Sequence, residues 1–179
     1  MDQYEALKYY FGHSQFRQGQ EALINAILSG RDVLGIMPTG GGKSLCYQIP
    51  ALVLEGVTVV ISPLISLMKD QVAALSEAGI QAAYLNSTLT PQQMQSVYQR
   101  TREGAYQLLY VAPERLDTAE FSALVEQISV PLVAVDEAHC ISQWGQDFRP
   151  SYLNIAAFVQ RLPRRPVVAA FTATATGEV

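Results

Sequence analysis

Length, composition and charge limit what this chain can be. Its 179 residues and 19.6 kDa suit one domain with a substantial core, and no apolar run is long enough to cross a membrane. Charged residues make up 16% of the chain against about 25% in average domains, which favours an apolar face meant for another domain. The net charge of −4 excludes a nucleic-acid site that relies on overall positive charge, so such a site would have to be a local patch.

Apolar, β-branched runs alternate with segments of helical periodicity along the chain. Strands are predicted at 33–37, 57–62, 82–85, 108–112, 132–136 and 167–172, and helices at 18–28, 45–54, 64–78, 91–103, 119–127 and 152–160. Thr90 before Pro91 predicts a helix start, and Gly79 predicts a helix stop. The alternation predicts an α/β fold with a mostly parallel central sheet flanked by helices on both faces.

A glycine-rich run, Met-Pro-Thr-Gly-Gly-Gly-Lys-Ser at 37–44, follows a short strand that we predict to be buried. Glycines let successive N–H groups converge on phosphate oxygens, Lys43 supplies a charge for the β- and γ-phosphates, and the Ser44 hydroxyl can ligate Mg²⁺. The helix that begins here presents its positive end to the anion. The strict phosphate-loop pattern has glycine where this chain has Met37, and a turn that merely links strand to helix is the alternative.

Two adjacent acids, Asp136 and Glu137, end the apolar run that begins at Leu132. In a parallel sheet the carboxyl ends of the strands share one rim, so these acids should lie beside the glycine-rich loop. Asp136 is then suited to organise Mg²⁺, directly or through water, and Glu137 to polarise an attacking water. The alternative is that both acids are solvated turn residues at the end of the strand.

The two cysteines, Cys46 and Cys140, lie far apart and belong to no paired spacing. We therefore expect buried thiols in a reduced, cytoplasmic setting, with neither a disulfide framework nor a zinc site. The first residues lack the basic and apolar regions of a signal peptide, so we expect no membrane partner.

Six segments carry a specific resemblance that covers nearly the whole chain. They are FGHSQFRQGQ at 11–20, MPTGGGKS at 37–44, SPLISLMKDQV at 62–72, YVAPERL at 110–116, DEAHCISQWGQDFRP at 136–150 and AFTATAT at 170–176. Together they resemble superfamily 2 helicases, and specifically the first RecA-like motor domain of the RecQ DNA helicases. Met37 matches the helicase form of the phosphate loop, in which the first glycine is often absent.

The resemblance implies one RecA-like ATP-binding domain over 1–179, with N-terminal helices and an adenine-reading motif within 1–30. It implies an ATP-dependent helicase that moves 3′ to 5′ and unwinds DNA in recombination and repair, with ATP and Mg²⁺ as cofactors and a bacterial-type, nucleoid-associated location. Its partners would be single-stranded and duplex DNA and a second RecA-like lobe of the same protein. That lobe and the zinc-binding and winged-helix regions would be missing from a fragment of this length, which we expect to bind nucleotide but hydrolyse it poorly.

The resemblance also assigns nucleotide-binding residues. Arg17 and Gln20 would read the adenine, since an amide offers a donor and an acceptor at fixed separation. Without the resemblance, these two residues would be read as an exposed helix face. The nucleotide-contacting set is Arg17, Gln20, Thr39, Gly40, Gly41, Gly42, Lys43 and Ser44.

A third group of residues would contact DNA or couple it to hydrolysis. Aromatic rings stack on any base and an arginine pairs with phosphate, which suits the segment after the acids to single-stranded DNA. The candidates are Trp144, Phe148, Arg149, His139, Ser62, Lys69, Arg115, Thr172 and Thr174. The alternatives are a loop pinned by buried aromatics, a structural histidine at 139, and solvated charge at Lys69 and Arg115.

The sequence is also compatible with two other hypotheses about function. Because Asp-Glu-Ala-His stands at 136–139, an RNA helicase of the DEAH class is one alternative. A nucleotide-dependent interaction module without useful turnover is the other.

Overall fold

The computed structural model describes residues 1–38, 42–141 and 149–173. Its helices are α1 Gln3–Phe11, α2 Gln20–Leu28, α3 Leu45–Val53, α4 Ile65–Glu77, α5 Pro91–Arg102, α6 Ala119–Val125 and α7 Asn154–Arg161. Its strands are β1 Val33–Ile36, β2 Thr58–Ile61, β3 Ala82–Leu85, β4 Leu108–Val111, β5 Leu132–Val135 and β6 Val167–Thr172. Short 3₁₀ turns cover Pro113–Arg115, Ala138–Ile141 and Pro150–Leu153.

The strands form one sheet in the order β1-β6-β5-β2-β4-β3, and every pairing in the described part of the chain is parallel. The predicted α/β class is confirmed. Ile61 at the end of β2 is in register with Val111 of β4 and Val135 of β5. The carboxyl ends of these strands therefore share one rim, and Asp136 is the next residue beyond it.

Helices cover both faces of the sheet, as the sequence predicted. On one face α3 and α4 contribute Tyr47, Met68 and Leu75 to the core. On the other, α5, α6 and α7 contribute residues such as Tyr98 and Phe121. Continuous burial of β2, β4 and β5 follows from this double cover, because strands enclosed on both faces have no solvent-facing side chains.

The prediction that the strand before the glycine-rich loop is buried was wrong. Strand β1 lies at the edge of the sheet, where Leu34 is 63% and Ile36 is 50% exposed. Its other face is close-packed, since a Cβ on Gly35 would lie 2.8 Å from Cδ1 of Phe171. The edge is fastened at one end by Asp32, whose Oδ1 accepts the Val168 N–H at 3.0 Å.

Local signals mark helix ends as predicted. The Thr90 hydroxyl accepts the Gln93 N–H at 3.1 Å, and Gln93 Oε1 accepts the Thr90 N–H at 2.9 Å. These two bonds form a capping box, and Pro91 occupies the first helical position. Gly79 adopts φ 87° just beyond Ala78, the residue that caps the end of α4. Periodicity missed α1, because only Ala6 and Leu7 of that helix are buried.

None of the helices in the described ranges has the length and apolarity that a membrane span requires. Both cysteines are buried free thiols, and burial raises the pKa of Cys46 to about 12.

Candidate nucleotide-binding site

Three charged side chains meet at the carboxyl rim of the sheet. Lys43, just before α3, places its Nζ 3.1 Å from Asp136 Oδ1 and 3.0 Å from Glu137 Oε1. The backbone N–H of Asp136 donates to the Ile61 carbonyl at 2.9 Å, which extends the β2–β5 ladder by one residue. The fold thus brings the loop lysine and the two acids together across more than ninety residues of sequence, as the sequence predicted.

Burial and pairing oppose each other in this cluster. Asp136 is only 5% exposed, and its burial raises the pKa of the carboxyl although the Lys43 charge and hydrogen bond act to lower it. For Lys43, burial acts to lower the pKa, but attraction by Asp136 and Glu137 outweighs it and raises the pKa above its ordinary value. Lys43 therefore stays protonated at neutral pH and holds a full positive charge at the rim.

Glu137 has an unusual backbone for a residue with a side chain. Its φ of 53° makes it the one non-glycine residue with positive φ in the described ranges. Its N–H donates to Asp136 Oδ1 at 3.0 Å, and its carbonyl accepts the Cys140 N–H at 2.9 Å. Such conformations persist where surrounding contacts hold them, and they cluster at functional sites.

His139 joins the acids to the last strand. Its Nδ1 lies 3.0 Å from Thr172 Oγ1 and 3.5 Å from Glu137 Oε2. His139 and Thr172, two of the candidates for coupling DNA to hydrolysis, are therefore in contact. Thr174, a third candidate, lies outside the described residues.

Gln20 is buried at the start of α2, with 1% of its surface exposed, so the exposed-face alternative was wrong for this residue. Its Oε1 accepts the Arg17 N–H at 2.8 Å, and its Nε2 donates to the Gly42 carbonyl at 3.0 Å. Gly42 has φ 76°, and a Cβ there would lie 2.4 Å from Gln20 Nε2. One amide thus connects the turn before α2 to the glycine-rich loop, while Arg17 itself is exposed.

A cavity of about 370 Å³ adjoins this amide. Its size falls in the lower part of the range of small-molecule sites. The lining residues are Leu7, Phe11, His13, Gln15, Arg17, Gln20, Gly42, Ser44, Leu45 and Gln48. They come from α1, from the turn before α2 and from the start of α3, so the cavity lies between the N-terminal segment and the loop.

Ser44 lies at the position that precedes α3, and its side chain makes no capping hydrogen bond there. The hydroxyl is therefore not used to satisfy the helix end, which leaves its oxygen for another partner. Thr39, Gly40 and Gly41 lie outside the described residues.

The predicted DNA-contacting residues differ in their exposure to solvent. Lys69 on α4 and Arg149 are exposed. Ser62 is buried and its hydroxyl accepts the Leu64 N–H at 3.2 Å, so it stabilises a turn and is not presented to a ligand as we had expected. Arg115 is half-buried and donates to the Tyr98 hydroxyl at 3.2 Å. Trp144 and Phe148 lie outside the described residues.

Sequence reasoning missed the buried tyrosines around Asp136. Tyr152 donates from its hydroxyl to the Asp136 carbonyl at 2.7 Å. On the opposite face of the sheet, Gln48 donates to the Tyr110 hydroxyl at 3.1 Å, and burial raises the pKa of Tyr110 to about 12. No pattern in the sequence singles these tyrosines out, because their roles depend on which strand ends are neighbours.

A parallel α/β sheet with a lysine and two acids at its carboxyl rim defines a nucleotide-binding domain of the P-loop class. The family model of DEAD/DEAH box helicases matches residues 17–179, and the chain belongs to that family.

Comparison with individual proteins shows which members of this family the chain resembles. The chain is 59% identical over 174 residues to the ATP-dependent DNA helicase RecQ of Bacillus subtilis strain 168, covering 97% of this chain and 29% of that protein. It is 53% identical over 169 residues to RecQ of Haemophilus influenzae, covering 94% and 27%. The predicted resemblance to RecQ helicases is thus confirmed, and the chain spans less than a third of the length of these relatives.

Solved structures agree on the fold. The DUF1998 helicase MrfA bound to DNA superposes with a TM-score of 0.78 at 19% identity, covering 97% of this chain and 26% of MrfA. At that identity the similarity concerns the fold alone.

Proposed function

We propose that this chain is the ATP-binding motor domain of a RecQ-type DNA helicase, one that moves 3′ to 5′ and unwinds duplex DNA in recombination and repair. The observation that carries the proposal is the cluster of Lys43, Asp136 and Glu137 at the carboxyl rim, next to a cavity with a buried glutamine at its wall. High identity to RecQ relatives over nearly the whole chain supports DNA as the substrate class.

The residues at the rim fit MgATP by the chemistry of their donors. Lys43 would exchange its carboxylate partners for β- and γ-phosphate oxygens, which offer the same negative charge. Ser44 and Asp136 provide oxygen ligands for Mg²⁺, with Asp136 acting directly or through water. The bound metal would neutralise charge that develops on the phosphates.

Glu137 is the proposed base of the reaction. Once Lys43 moves to the phosphates, the Glu137 carboxylate loses its cation and can accept a proton from an attacking water. Lys43, Asp136 and Glu137 are thus the proposed catalytic residues, with Thr39, Gly40, Gly41 and Gly42 as backbone contacts to the phosphates.

Gln20 and Arg17 are the proposed adenine readers. Each polar end of the Gln20 amide makes one bond to backbone, with the Arg17 N–H and the Gly42 carbonyl, and each has capacity for a second bond, which an adenine would use. Through its bond to Gly42, the same amide would connect recognition of the base to the glycine-rich run.

Coupling to DNA involves the remaining candidates and a second lobe. Trp144, Phe148 and Arg149 are proposed to contact single-stranded DNA, and His139 with Thr172 and Thr174 to relay that contact to Glu137. Lys69 and Arg115 are proposed contacts to the DNA backbone. We also propose that 1–179 is a single domain that works with a second RecA-like lobe in the cytoplasm, at the nucleoid.

The test is a titration of the chain with a fluorescent adenine nucleotide and Mg²⁺, competed by ATP and by GTP. We expect saturable binding with preference for ATP, and loss of that preference in Gln20→Ala. Gln18→Ala, an exposed glutamine two residues away, is the matched control and should behave like the unsubstituted chain. Equal competition by GTP in the unsubstituted chain would reject the adenine site. Tighter binding to single-stranded RNA than to DNA would favour the RNA helicase alternative.

A further inference from the structure

Four hydrogen bonds connect Asp136 and Glu137 to the segment that begins at Arg149. The Cys140 N–H donates to the Glu137 carbonyl, and the Arg149 N–H donates to the Cys140 carbonyl, both at 2.9 Å. The Tyr152 N–H donates to the Arg149 carbonyl at 2.9 Å, and the Tyr152 hydroxyl donates to the Asp136 carbonyl at 2.7 Å. These bonds form a closed path that leaves the acidic pair and returns to it.

The bond from the Tyr152 hydroxyl ends on the backbone carbonyl of Asp136. The Asp136 carbonyl belongs to the peptide group that joins the two acids, and the N–H of the same peptide donates to Asp136 Oδ1 at 3.0 Å. The peptide plane is therefore held at both ends. Glu137 has φ 53°, a conformation that a residue with a side chain rarely adopts. A rotation of the peptide plane would let the backbone of Glu137 relax to an ordinary conformation, or would turn the Glu137 carboxylate away from Lys43.

Tyr152 is well suited to hold that plane. Its side chain is fully buried in the core formed by α5, α6 and α7, so the ring has a fixed position. Burial raises the pKa of its hydroxyl well above the ordinary value, so the group remains a neutral donor. Without this donor, the Asp136 carbonyl would have no hydrogen-bond donor among the residues that the structure describes.

We propose that Tyr152 is a positioning residue that sets the geometry of Asp136 and Glu137 for Mg²⁺-nucleotide, through the peptide bond between them. The inference rests on the proposed function of the rim as an MgATP site. It assigns to Tyr152 no contact with nucleotide or metal. Its consequence is specific: loss of the hydroxyl should weaken the Mg²⁺-dependent part of nucleotide binding and spare the rest.

The test compares nucleotide Kd in Mg²⁺ and in EDTA, by titration of the 179-residue chain with the fluorescent adenine nucleotide. For Tyr152→Phe we expect an unchanged Kd in EDTA and a Kd in Mg²⁺ that is about 3- to 10-fold weaker, the range spanned by loss of one hydrogen bond. The matched control is Tyr98→Phe, which removes a hydroxyl from another tyrosine buried in the same core. It should keep the Mg²⁺ effect of the unsubstituted chain.

Three outcomes would overturn the inference. An Mg²⁺ effect in Tyr152→Phe equal to that of the unsubstituted chain would show that the bond does not position the acids. Equal weakening in Mg²⁺ and EDTA would show a purely structural role for the hydroxyl. Absence of Mg²⁺-dependent binding in the unsubstituted chain would instead reject the proposed function, and the role of Tyr152 with it.

Discussion

Lys43 contacts both Asp136 and Glu137, and the His139 ring lies 3.5 Å from the second of these acids. Both carboxylates lie within about 3 Å of one ammonium, so the two ionised acids share a single positive charge and neither is fully neutralised. A phosphate group can take over the lysine because it offers stronger, multiple acceptors. At the residue scale, the positive charge of Lys43 is already in place at the rim to which we assign the nucleotide phosphates.

Lys43→Ala should lower the affinity for Mg²⁺-nucleotide by about 10- to 100-fold, because a hydrogen bond to a charged group contributes about 1.5–3 kcal/mol. The two acids would also face each other without a cation, which further raises the pKa of Asp136. The measurement is the same nucleotide titration. Lys8→Ala, an exposed lysine on α1, is the control and should leave affinity unchanged. An undiminished affinity in Lys43→Ala would remove the phosphate-binding assignment.

At the scale of elements, the glycines in the turns before β2 and β4 differ in how much space surrounds the position of a Cβ atom. Gly56, before β2, has φ 113°, and a Cβ there would lie 2.6 Å from the Ser129 carbonyl oxygen. That carbonyl accepts the Val57 N–H at 2.9 Å, so it cannot move without loss of the bond. Gly104, after α5, has φ 79° and open space around the same position.

Gly56→Ala and Gly104→Ala therefore form a matched pair. Gly104→Ala should cost about 1–2 kcal/mol of unfolding free energy, the backbone cost of an L-residue in the left-handed region. Gly56→Ala should cost more than about 3 kcal/mol, because backbone must also shift. Urea unfolding of the two variants measures the difference. Equal costs would mean that the approach of Ser129 to Gly56 is not close in solution.

For the whole molecule, the notable surface is an apolar groove of about 780 Å³ on one face of the sheet. Helices α5, α6 and α7 cover that face over the other strands, but the outer face of β1 is bare. The groove is lined largely by apolar side chains, including Leu34, Ile36, Ile141, Ile155 and Val159. These side chains give the protein a contiguous apolar patch at the edge of the sheet.

This groove should bind a hydrophobic fluorescent dye. Replacing Leu34 and Ile36 together by glutamine should reduce dye fluorescence at least twofold without lowering Tm, because both side chains are already half-exposed or more. Leu67→Gln, an exposed leucine on α4, should have little effect. The same loss of signal in both variants would show that the dye reports scattered apolar residues and not the groove.

The positions of the strands followed from the sequence to within a residue at each end, because short β-branched runs bounded by turn residues leave little choice of boundary. The helix start at Thr90 and the helix stop at Gly79 were predicted correctly, since each depends on residues within a few positions. The sequence predicted that Asp136 and Glu137 would lie beside Lys43, because the carboxyl ends of parallel strands share one rim of the sheet.

The tertiary structure alone decided what depends on neighbours distant in sequence. Strand order put β1 at the edge and so exposed a strand that its composition predicted to be buried. Packing turned Ser62 inward, and it closed the Gln20 amide onto Gly42. The Tyr152 hydroxyl reached Asp136 only because the 3₁₀ turn Pro150–Leu153 packs into the same core as β5. The sequence by itself determined the local elements and the chemical groups, because these arise from short-range sterics and residue type; the tertiary structure decided their contacts, because burial and hydrogen bonding are settled by the assembled sheet.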